Sequence, residues 1–150
     1  MFSLGGVILA VLMLVVARFY HHILNADWFF KISLFVEVVL LLAMLYFIYA
    51  SYSYQTALLL YIGYQITFVF GSYLVRAETL LLQTDTLLTK LDTAKQLGYL
   101  SGMGISYILY KVFTHYGIEN AQDQVYALHF LLIGIEVVVI VLIWKSFKKV

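Results

Sequence analysis

Between Lys31 and Arg76 the chain carries one charged side chain, Glu37, in a succession of apolar and uncharged polar residues. A second block, Val125–Trp144, holds Glu136 as its sole Asp, Glu, Lys or Arg. A water-soluble fold spreads its apolar residues in short amphipathic stretches, because one side of each element meets water. Blocks of this length instead match the roughly 20 residues that carry a helix across a bilayer. Composition agrees: 64% of the 150 residues are hydrophobic and 11% charged, with a mean hydropathy of +0.97. A soluble domain is about half apolar and a quarter charged. The expected fold class is therefore all-α, a polytopic helical bundle integral to a membrane. About five spans would use roughly 100 residues and leave no room for an aqueous domain, so residues 1–150 read as a single transmembrane domain.

The spans fall at about residues 2–17, 32–50, 56–75, 97–113 and 125–144. The first begins at Phe2 with no Lys or Arg before it, unlike a signal peptide with its positive n-region, and reads as a retained helix. Residues 77–96 differ from the spans. Leu80, Leu81, Leu87, Leu88 and Leu91 recur at three- and four-residue spacing among Glu78, Asp85, Lys90, Asp92 and Lys95. This pattern predicts a cytoplasmic amphipathic helix at the interface.

Whether residues 97–113 cross is decided by the distribution of Lys and Arg, which accumulate on the inner side near span ends. With five spans, Arg18, Lys31, Arg76, Lys90, Lys95, Lys145, Lys148 and Lys149 lie inside and Lys111 alone lies outside. With four spans, Lys145, Lys148 and Lys149 remain inside against Arg18, Lys31, Arg76, Lys90, Lys95 and Lys111 outside. Five spans, with the N-terminus out and the C-terminus in, are expected. A bacterial-type cytoplasmic (inner) membrane is the expected location. Tyr46, Tyr49, Tyr52 and Tyr54 on the outer side, and Trp28 and Trp144 on the inner, read as interfacial aromatic belts.

Helices in lipid associate through small residues and polar contacts. Gly63, Thr67 and Gly71 share one face of the third span, and Gly98, Gly102 and Ser106 share one face of the fourth. Both are candidate packing faces, for each other in a hairpin or for a second protein.

Charged groups inside a bilayer are costly and mark function. Glu37 lies six residues past Lys31, about 9 Å of helix rise, and Glu136 lies nine before Lys145, about 13 Å. The two share the inner half of the membrane, with Gln65 not far above. His129 is on the same helix face as Glu136, about 10 Å further out. Three outcomes are open for these groups. Each carboxyl is protonated, or the pair holds a proton or cation, or each meets a basic group on a partner subunit.

Other chemistry finds little support. With no Cys there is no thiolate metal site or redox dithiol, and no catalytic motif is present, so an enzyme is not expected. His21 and His22 are adjacent and point about 100° apart on a helix, a poor arrangement for one metal; no metal is expected. No cofactor is expected either, although His115 and His129 are the pair that a haem would use, and a quinone near His129 is the other electron-transfer alternative. A net charge of +1 gives no basis for nucleic-acid binding.

The preferred expectation is a structural or regulatory subunit of a larger membrane complex, its partners being the lipid bilayer and other membrane subunits. The alternative is a homo-oligomeric ion or proton channel, or a proton-coupled carrier, working through Glu37, Gln65 and Glu136.

Overall fold

The computed structural model describes residues 2–147, with side chains from Gly5 onward; the expected inner-side Lys148 and Lys149 lie outside the described residues. The protein is all-helical: α1 (Phe2–Arg18), α2 (Tyr20–Ile23), α3 (Ala26–Tyr49), α4 (Tyr54–Leu82), α5 (Asp85–His115) and α6 (Ala121–Phe147). The chain has no Pro, and capping hydrogen bonds mark several of the helix ends. Asn25 is extended and its side chain accepts from the Trp28 backbone N–H at 3.0 Å, opening α3. The Ser53 hydroxyl accepts from the Thr56 N–H at 3.1 Å and opens α4. Helix α5 closes in a Schellman turn, with Ile118 N–H donating to the Phe113 carbonyl at 2.9 Å and Gly117 at φ +83.

Three of these helices, α3, α4 and α6, are long and apolar enough to cross a membrane. At 24, 29 and 27 residues they run about 36–44 Å, more than the roughly 30 Å hydrocarbon core. Helix α1 is apolar but shorter. Helix α5 has 31 residues, and its charged first half keeps it below that apolarity. The amphipathic stretch expected as one element over 77–96 is divided. Residues 77–82 end α4, Gln83 takes a left-handed conformation (φ 47), and α5 then continues unbroken through the expected fourth span.

The described residues group into two compact units. Unit one holds residues up to Leu81 together with those from Ile133 onward. Its core gathers Ile32 and Val36 of α3 with Tyr73 and Ala77 of α4, and Val16, Tyr20 and Ile23 pack against them. The Tyr73 hydroxyl donates to the Ile23 carbonyl at 2.7 Å, supplying a partner to the end of α2. Phe35 of α3 meets Phe70 of α4 edge-on at 5.8 Å between ring centroids, and a Cβ at Gly63 would touch the Ala43 Cβ at 3.4 Å. These contacts step forward along α3 and backward along α4, so the two are antiparallel. Phe30 packs on Trp144 (6.0 Å) and Phe147 (5.0 Å), bringing the start of α3 to the end of α6. Much of the remaining apolar surface, such as Leu14, Leu42, Phe68 and Val138, is exposed. In water such surface would be an aggregation hazard; in lipid it is the solvated face.

Unit two, Leu82–Leu132, comprises α5 and the first half of α6. Gln124 Nε2 donates to Thr114 Oγ1 at 3.1 Å and to the Ile118 carbonyl at 2.6 Å, tying the turn between the two helices. No residue of α5 is buried.

Candidate intramembrane carboxyl site

Two aromatic contacts set the register of α3 against α6. With Phe30 on Trp144, the antiparallel pair carries Glu37, seven residues along α3, to the level of Glu136, eight residues back along α6. This register sets the two carboxyls close enough to act on one another. Glu136 is the one buried residue of α6, 8% exposed, whereas Glu37 is only partly buried. Glu136 Oε1 has no hydrogen-bond partner among the described residues. Nor has Oε1 of Gln65 on α4, also buried. Two buried acceptors without donors are unusual, since nearly all buried polar atoms are paired. Both belong to unit one, and both are residues that stand out as polar positions within apolar sequence.

The basic residues collect at one end of unit one. Arg18 ends α1 and Lys31 lies in the second turn of α3, its ammonium 5.2 Å from the Trp28 ring centroid. The Arg76 guanidinium lies 5.9 Å from the Tyr20 ring centroid, and Lys145 is in the last turn of α6 beside the Phe30–Trp144 contact. His21 and His22 sit at this end too, their ring centroids 3.9 Å apart. No group of three His, Asp or Glu positioned for a metal occurs among the described residues.

The remaining expected positions are dispersed. His129 lies in unit two, its Nδ1 2.8 Å from the Val125 carbonyl of its own helix. An iron would therefore be left with Nε2 on that side. The His115 ring packs edge-on to Tyr116 at 5.8 Å. Of the expected packing faces, Gly63 meets Ala43 of α3, while Gly71 has nothing within 4 Å of an added Cβ. Thr67 returns its hydroxyl to the Tyr64 carbonyl at 2.8 Å. On α5, an added Cβ at Gly98, Gly102 or Gly104 would likewise meet nothing within 4 Å among the described residues, and Ser106 is partly buried.

The chain matches no family model, no curated protein and no solved structure.

Proposed function

We propose that this is a five-span integral membrane protein of a bacterial-type cytoplasmic membrane whose working site is the Glu37–Glu136 pair, which binds a proton or small cation within the bilayer. The observation that carries this reading is the burial of Glu136 at the level of Glu37, with Glu136 Oε1 left without a hydrogen-bond partner among the described residues. Two carboxyls set at one level between apolar helices can share a proton or cation between them, and the unpartnered oxygen offers a further acceptor. A partner's Lys or Arg is a poorer fit. To reach Glu136 Oε1 it would have to enter a position already buried within the chain. The protein then acts in ion or proton movement, alone or as a homo-oligomer.

Charge distribution supports the five-span count. Helices α4 and α6 both end at the basic end of unit one, where Tyr73 and Arg76 meet α2. With that end facing inward, Arg18, Lys31, Arg76 and Lys145 obey the positive-inside rule.

Reconstitution into liposomes with an internal pH dye tests the site. The Glu136→Gln variant is expected to lose proton flux while keeping its oligomeric state, because it removes the buried ionisable group. Wild-type flux in that variant would reject the reading.

A second reading is favoured by a different observation. A 31-residue helix with no buried residue and three glycines open to close approach fits a subunit that seats α5 against another membrane protein. Native mass spectrometry of the protein extracted gently from its own membrane separates the two. Bare 17.2 kDa chains, single or multiple, favour the self-contained site; other polypeptides at fixed stoichiometry favour the subunit.

A further inference from the structure

Beside the core of unit one, α1, α2, α3 and α4 enclose a groove of about 630 Å³ that the carboxyl pair does not use. Its walls are Val15, Val16, Ile32, Phe35 and Phe70, and at the basic end it is rimmed by Phe19, His22, Trp28 and Lys31. No Asp or Glu lines it among the described residues. The volume falls within the roughly 300–1,000 Å³ of sites that hold small amphiphiles. From Lys31 to Phe35 the helix rises about 6 Å, so charge and apolar wall follow one another along the bilayer normal.

We propose that this groove is a binding site for an anionic phospholipid. The phosphate sits against the Lys31 ammonium and the His22 ring, and the upper part of one acyl chain lies along Ile32, Phe35 and Phe70. Charge complementarity selects this occupant. An uncharged lipid leaves the Lys31 ammonium unanswered, whereas an anionic headgroup meets it at the depth where Trp and Lys ordinarily anchor to the interface. Lys31 and His22 are exposed, so neither is committed to the core. The site rests on membrane integration and is independent of the Glu37–Glu136 chemistry.

Trp28 lies on the rim and reports its occupancy. The chain has two Trp, so Trp144→Phe leaves Trp28 as the sole indole. That variant is reconstituted in vesicles containing either phosphatidylglycerol or phosphatidylcholine brominated near the headgroup end of the chains. Trp28 quenching is expected to favour phosphatidylglycerol about fivefold, the scale of one basic group at a membrane surface. Adding Lys31→Gln is expected to bring the ratio near one, and Lys31→Arg to preserve it. Arg18→Gln removes an exposed charge at the same end that does not line the groove, and is expected to leave the ratio unchanged. Equal quenching by the two lipids would overturn the proposal, as would a preference that survives Lys31→Gln. An equal loss in Arg18→Gln would also overturn it, by assigning the preference to diffuse surface charge. Helical circular dichroism of each variant verifies that exposed-site substitutions leave the fold intact.

Discussion

Tyr73 is fully buried, yet its hydroxyl reaches the Ile23 carbonyl, fifty residues earlier in the chain. Tyr73→Phe keeps the ring against Tyr20 and the core while removing this one bond. It is expected to cost about 1 kcal/mol, read as a lowered melting temperature in detergent, with Tyr99→Phe on the exposed surface as the comparison. Of the single residues that matter, Glu37 and Glu136 are legible in sequence because a carboxyl in an apolar run is conspicuous whatever surrounds it. Tyr73 is not, since it is one of 13 tyrosines in a chain where interfacial belts account for such residues equally well. Gln65 was visible as a polar residue in a span; that its carbonyl oxygen is buried without a donor required coordinates.

Hydropathy marks where lipid begins and ends, but a helix stops only where its backbone finds another arrangement. Residues 85–115 illustrate the difference. Their apolar and charged halves read as two elements, and they form one helix because neither half contains a breaker stronger than glycine, each costing about 1 kcal/mol. The break before them falls on Gln83, a residue type that gives no turn signal. At the far end the signal was available. Gly117, with φ +83, sits where only glycine avoids strain, and Gly117→Ala is expected to destabilise the α5–α6 turn by about 1–2 kcal/mol. The effect should appear as faster amide exchange at Ile118 and Gln124, with unit-one amides unchanged. At the other cap, Asn25→Ala removes the acceptor for the Trp28 N–H and should lower the melting temperature by an amount corresponding to about 1 kcal/mol.

At the level of the whole molecule, membrane character and helicity were readable from composition and block length, and three helices meet the length and apolarity of a span. The proposed five-span arrangement rests on charge distribution, and it has a direct test. Because the chain has no Cys, each introduced Cys is a unique label site. Glu119→Cys is expected to react with a membrane-impermeant maleimide from the side opposite to Gln83→Cys; labelling from the same side would mean that α5 does not cross. The meeting of Glu37 with Glu136 also bears on how the protein is made. The turn joining α5 to α6 is tied by bonds between residues at most ten apart, so that hairpin can close as it leaves the ribosome. Glu37 instead enters the membrane with α3 and waits for the last described helix to be synthesised. At roughly 5–20 residues per second, that wait lasts seconds. During it the Glu37 carboxyl stands in the apolar phase without the residue it later faces.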